Sequence, residues 1–146
     1  EPETGILTAT AEVGALFVAY SPLGRGLLTG RLRSPGDVPP DDWRRQLPRF
    51  AAGNFEANID RVDQLRRLAA DRGITVSQLA LAWILHRGDH IAAITGTRKL
   101  GRLEENAAAA DIELDLETLQ TIDRLFPPGS AAGARADSGY LSRVDS

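Results

Sequence analysis

Phe17-Val18-Ala19-Tyr20-Ser21-Pro22-Leu23-Gly24-Arg25-Gly26 is the stretch on which the fold turns. Its first half continues back to Ala15 as an uninterrupted apolar run, not an alternating one. A strand of that kind suits burial on both faces, as in a parallel sheet. Ser21-Pro22 ends it. Gly24 and Gly26 then let the backbone turn tightly and come close to a ligand, with amides directed at an anion. A second short apolar segment, His90 to Ile94, runs into Thr95-Gly96-Thr97-Arg98-Lys99 and a helix bearing Arg102, Glu105 and Asn106. There a helix N-terminus, with its unpaired amides and positive dipole end, adds to the attraction for negative charge.

Around these two segments the chain alternates helix and strand. Glu3 to Val13 reads as a short helix, with Ile6, Leu7 and Ala11 along one side, Pro2 at its beginning and Gly14 at its end. Thr29 to Asn54 is punctuated by Pro35, Gly36, Pro39, Pro40, Pro48 and Gly53. It reads as a long loop with a short helix near Asp41 to Gln46, anchored by Phe50 and Phe55. Loops beyond about 12–15 residues are usually functional or disordered. Asn58 to Asp71 is amphipathic, with Ile59, Val62, Leu65, Leu68 and Ala69 on one face and Gly73 as its stop. Thr75 and Gln78 have the spacing of a capping box for a helix that buries Val76, Leu79, Ala80, Trp83 and Ile84 and closes at Gly88. Arg98 to Ala109 is the helix after the second strand. Asp115 caps a last one, with Leu119, Ile122, Leu125 and Phe126 as its apolar face. Strands alternating with helices predict an α/β arrangement with parallel neighbours. Two such strands cannot form a covered sheet alone, so the fold is expected to be completed by another chain or by more of this one.

The 146 residues suffice for one ordinary domain, and 42 % hydrophobic content supports a packed core built on Leu, Ile, Val and Ala, since aromatics are only 5 %. A net charge of −3 with interspersed signs gives no footprint for nucleic acid. No apolar run approaches membrane-spanning length, and Glu1-Pro2-Glu3 does not open a signal peptide. The absence of cysteine excludes disulfides, thiolate metal sites and cysteine nucleophiles, and makes a cytoplasmic setting the default. No metal site is expected. Methionine is absent even at position 1, so Glu1 is expected not to be a natural start.

Local chemistry leaves each candidate residue two readings. Ser21 to Gly26 is a phosphate turn, or a plain strand-to-loop turn with Arg25 facing solvent. It is neither the glycine fingerprint of a doubly wound fold nor a P-loop. Tyr20 is a core tyrosine with a hydrogen-bonded hydroxyl, or a flat ring for a planar cofactor to stack on. Arg102 and Asn106 lie four apart on one helix face, as an anion and adenine grip or as an ordinary surface pair. Trp43 and Phe50 either line a pocket or pin the long loop, the second being favoured for each. Tyr140 and Leu141 in the tail have the same two readings. His86 ends a helix and His90 opens a strand, so both are expected to serve structure.

Phe17 through Gly30 closely resembles the segment spanning the seventh strand of aldo-keto reductases. Ile94-Thr95-Gly96-Thr97-Arg98 through Leu103-Glu104-Glu105-Asn106 resembles their eighth strand and the helix after it. The motifs stand in the right order, about 70 residues apart. Gly96-Thr97-Arg98 and the long loop after Gly30 look most like the bacterial branch that includes voltage-gated potassium channel β subunits. The resemblance implies an α/β fold, the C-terminal portion of a (β/α)8 TIM barrel from sixth helix through eighth strand and closing helices, with the N-terminal strands missing from this chain. Residues 1–126 would be that barrel portion, including loop 31–54, and residues 127–146 a tail near the substrate pocket.

It further implies an NADPH-dependent reduction of a small aldehyde or ketone to an alcohol. Tyr20 would stack on the nicotinamide. Ser21, Leu23, Gly24 and Gly26 would lie along the pyrophosphate, with Pro22 directing the turn and Arg25 beside it. Gly96, Thr97, Arg98 and Lys99 would surround the adenosine phosphate, Arg102 would pair with the 2′-phosphate, and Glu105 and Asn106 would hold the adenine. Thr95 stands where the family usually has proline. None of the family's catalytic Asp, Tyr, Lys and His maps onto this chain, so no catalytic residue is assigned, and the missing half of the barrel would supply the proton donor. The alternatives are a non-catalytic regulatory subunit that binds nicotinamide cofactor and, more remotely, another phosphate-binding barrel enzyme.

Overall fold

The computed structural model describes residues 5–136. Pro2, Tyr140 and Leu141 lie outside the described residues, as does everything from residue 137 on. Two strands, β1 (Phe17–Ala19) and β2 (Ile91–Ala93), pair in parallel with Phe17 opposite Ile91, Val18 opposite Ala92 and Ala19 opposite Ala93. A parallel pair needs a long crossover. Here it consists of the loop and two helices, α2 (Asn54–Ala70) and α3 (Val76–Leu85). Helix α1 (Ile6–Glu12) precedes β1, and α4 (Leu100–Ala107) and α5 (Leu116–Leu125) follow β2.

The core lies among the helices. Val62, Leu65 and Ala69 of α2 meet Val76, Leu79 and Ala82 of α3, with Leu114 and Ile122 closing the cluster. Each fully buried leucine of this kind contributes about 1.5–3 kcal/mol. The capping box before α3 forms as expected: Gln78 N donates to Thr75 Oγ1 and Thr75 N to Gln78 Oε1. Asp115 caps α5 by accepting from Thr118 N at 2.7 Å.

A second cluster orders the long loop. Leu32, Val38 and Phe50 pack with Leu27 on Phe55 and Ile59 at the start of α2. The rings of Phe50 and Phe55 are 6.1 Å apart. The loop is a chain of tight 3-10 turns at Pro35–Asp37, Trp43–Gln46 and Pro48–Phe50, where one short helix was expected. Arg45 holds it together by donating to the carbonyls of Pro35, Val38 and Pro39. Helix α2 starts four residues before the expected Asn58. Gly53 N donates to Glu56 Oε2 at 2.6 Å, and Phe55 and Asn58 are already buried. Residues 127–136 pack back on this region, with Asn58 exchanging two hydrogen bonds with the backbone of Ala132.

Helices cover one face of the two-stranded sheet; the burial on both faces expected of a completed sheet is not formed by the described residues alone. Leu16, Val18 and Tyr20 alternate onto the other face and are exposed, as is Ile94 beyond the end of β2. The physical reason is that two strands and one helical layer, the described residues, offer nothing to cover the second face.

Candidate functional site

The strand register brings the two candidate segments together. Ala19 pairs with Ala93, and the pairing extends one step further, with Ile94 N donating to Ala19 O at 3.0 Å. Both segments therefore leave the sheet side by side in the same direction. Tyr20 begins one exit and is 67 % exposed, so its ring does not fill the core formed by the described residues.

The turn after Tyr20 is unusually left-handed. Ser21 has φ 49° and Arg25 φ 56°, positions rarely occupied by residues with a Cβ, and Gly26 has φ 103°. Gly24 N donates to Ser21 O at 2.9 Å and Gly26 N to Leu23 O at 3.0 Å. The two glycine amides expected to face an anion thus close the turn itself. Ser21 is exposed, and Pro22, Leu23, Gly24, Arg25 and Gly26 are half-buried. Arg25 does not project freely into solvent. Its guanidinium lies over the Trp43 ring, 5.6 Å from the centroid, and donates to Arg135 O at 2.7 Å.

The second segment opens a cleft of about 430 Å³ lined by Gly96, Thr97, Arg98, Lys99 and Arg102. No acidic residue lines it. Thr97 Oγ1 accepts from Lys99 N at 3.2 Å, which shapes the entry to α4. No side chain caps that helix. Among the described residues, no ion pair or hydrogen bond engages the side chain of Arg98, Lys99 or Arg102. Arg44, Arg66, Arg72 and Arg87 are each paired with an aspartate. Three uncommitted cations at an uncapped helix start form a donor set suited to a phosphate-bearing ligand. Asn106 is half-buried one turn beyond Arg102. Glu105 is already engaged: its Oε1 accepts from the Thr75 hydroxyl at 2.7 Å.

Asp42 and Arg44 carry no sequence signal, and Thr75 signals only a cap. Arg44 donates to Arg25 O at 2.9 Å and grips Asp42 through two nitrogens, at 3.0 and 2.7 Å. These hydrogen bonds hold the Asp42 carboxyl down at about 2. The pair stands in a loop without periodicity, and nothing in its spacing signals it. The histidines serve structure: His86 Nδ1 meets Ala82 O at 2.8 Å while Nε2 accepts from Leu114 N, and His90 Nε2 meets Leu7 O at 3.0 Å. Among the described residues there is no group of three metal-ligating side chains, and no helix is long and apolar enough to cross a membrane.

Comparison with known proteins gives this geometry a context. The Aldo/keto reductase family matches residues 1–126. The chain is 42 % identical over 135 residues to the aldo-keto reductase str7 of Strobilurus tenacellus, covering 92 % of this chain and 40 % of that protein. It is 39 % identical over 143 residues to the aldo-keto reductase yakc of Schizosaccharomyces pombe, whose name carries NADP(+), covering 98 % of this chain and 42 % of that protein. The fold matches a glycerol dehydrogenase from Gluconobacter oxydans with a TM-score of 0.77 and 32 % identity, over 85 % of this chain and 38 % of that one. The chain thus spans about two-fifths of the length of these relatives.

Proposed function

The chain belongs to the aldo/keto reductase family, and from that premise we propose that it is the cofactor-holding portion of an NADPH-dependent reductase acting on an aldehyde or ketone. The observation that carries this reading is the cleft at the start of α4, with Arg98, Lys99 and Arg102 uncommitted beside the exit of a parallel strand. The NADP(+) in the name of the fission yeast relative supports the same cofactor.

In this reading Arg102 takes the 2′-phosphate, with Gly96, Thr97, Arg98 and Lys99 around it and Glu105 and Asn106 at the adenine. An arginine fork on the 2′-phosphate favours NADPH over NADH. The turn from Ser21 to Gly26, including Pro22, Leu23, Gly24 and Arg25, follows the pyrophosphate, and Tyr20 offers its open ring to the nicotinamide. The bound nicotinamide supplies a hydride for the carbonyl carbon. The residues of this chain bind and orient that hydride source and so supply proximity. We assign the proton donor to the rest of a (β/α)8 barrel, in the same polypeptide or a companion chain, packed on the open face of Leu16, Val18 and Ile94. Residues 1–126 would be the seventh and eighth strands with their helices, and 127–146 a tail beside the substrate pocket. Gly96-Thr97-Arg98 and the long loop favour the channel-β-like branch.

The test is fluorescence titration of the complete protein with NADPH, followed by an assay with a small aldehyde. Binding with turnover is expected. Binding without turnover would indicate a regulatory cofactor-binding subunit. Binding of a sugar phosphate in place of NADPH would contradict the reading.

A further inference from the structure

The turn at Arg25 and Gly26 is held from outside by residues almost twenty positions away. Gly24, Arg25 and Gly26 are successively left-handed, at φ 57°, 56° and 103°. A turn of that shape persists only where its surroundings over-determine it. Here the surroundings include one guanidinium that bonds the turn's backbone directly. Arg44 Nη1 donates to Arg25 O at 2.9 Å and would stand 2.9 Å from a Cβ on Gly26. The other edge of the same guanidinium forks onto Asp42, and its face lies over the Phe50 ring at 5.8 Å. Phe50 is buried against Phe55 at the start of α2. The grip on Arg25 is thereby rooted in the core. The neighbouring Trp43 receives the Arg25 side chain, so the short turn Trp43–Gln46 holds Arg25 by carbonyl and guanidinium together.

We propose that Arg44, oriented by Asp42, is a positioning residue that fixes the Arg25–Gly26 turn in the shape required for a dinucleotide pyrophosphate. The proposal rests on the cofactor reading above. Only arginine has the donors to fork onto a carboxylate and reach a backbone carbonyl at once; a lysine at 44 keeps the charge but not that geometry. A pair that merely pinned the loop would not weaken the dinucleotides selectively.

The experiment is calorimetric titration of the complete protein and its Arg44→Lys and Arg44→Ala variants with NADPH, NADH and adenosine 2′-phosphate. The last ligand reaches only the α4 cleft. Both variants are expected to bind NADPH and NADH about tenfold more weakly, by the same factor for each, with adenosine 2′-phosphate unchanged. Unchanged dinucleotide affinity would overturn the proposal. So would a parallel loss for adenosine 2′-phosphate, which would mark a general structural role, or full affinity in Arg44→Lys. Should Arg44→Ala not fold, Asp42→Asn is expected to show the same pattern with a smaller loss, and full dinucleotide affinity in it would equally overturn the role of Asp42. If the unaltered protein binds none of the three ligands, it is the cofactor reading itself that fails.

Discussion

The hydroxyl of Thr75 donates to Oε1 of Glu105 at 2.7 Å and so ties the cap of α3 to the exposed side of α4. The same oxygen accepts from Gln78 N at 3.1 Å, so one side chain both starts a helix and orients a carboxylate of the candidate adenine site. These two roles separate by substitution. Thr75→Val loses both and is expected to lower stability by about 1 kcal/mol. Thr75→Asp keeps a capping oxygen but has no hydroxyl to donate. It is expected to stay within about 0.5 kcal/mol of the unaltered protein in denaturant titrations. Both should bind NADPH several-fold more weakly. If Thr75→Asp binds as tightly as the original, the tether does not position Glu105.

The extent to which this was readable beforehand follows from the range of the interactions involved. Thr75 with Gln78, and Asp115 before α5, are local signals and form as expected. The two apolar runs announced parallel neighbours because burial patterning is also local, and β1 and β2 pair so. The candidate site residues were legible as motifs, and the register brings their two segments to one edge. The Glu105 contact to Thr75 was not legible, since it joins residues 30 apart through no shared pattern. Of the loop turns, Trp43–Gln46 falls where a short helix was expected near Asp41 to Gln46, but Pro35–Asp37 and Pro48–Phe50 were not legible: Arg45 holds carbonyls at 35, 38 and 39, a geometric match that no periodicity encodes. The apolar strands signal a cover for both faces, but what supplies the second cover is not written in the strand.

Two glycines of the site make opposite demands. At Gly26 the positive φ disfavours a side chain and a Cβ would displace the end of the Arg44 guanidinium, so Gly26→Ala is expected to cost about 1–2 kcal/mol of stability. At Gly96 a Cβ would meet nothing within 4 Å, so the fold has no need of glycine there. Gly96→Ala is therefore expected to leave the melting temperature unchanged and to weaken NADPH binding by crowding the cleft. Unchanged binding would remove Gly96 from the site.

Acid stability should report the loop carboxylates. Hydrogen bonds from Arg44 hold Asp42 down at about 2, backbone amides of Arg33 and Ser34 lower Asp37, and the Thr118 hydroxyl and amide lower Asp115. A carboxyl lowered on folding contributes stability above its ordinary value and loses it as pH falls through its folded value. For Asp42 the loss should fall between about pH 4 and about pH 2. Urea midpoints measured across that range should decline less steeply in Asp42→Asn than in the unaltered protein. An identical decline would show that the pair with Arg44 contributes nothing to the folded loop.

The central claim is that the cleft of Arg98, Lys99 and Arg102 receives the phosphate that distinguishes NADPH from NADH. The most direct measurement is the ratio of NADH to NADPH dissociation constants in the complete protein and in Arg102→Ala. Loss of a charge-assisted arginine–phosphate contact is expected to weaken NADPH by at least about tenfold and to leave NADH nearly unchanged, so the ratio collapses toward one. An equal loss for both cofactors, or no loss for either, would contradict the account.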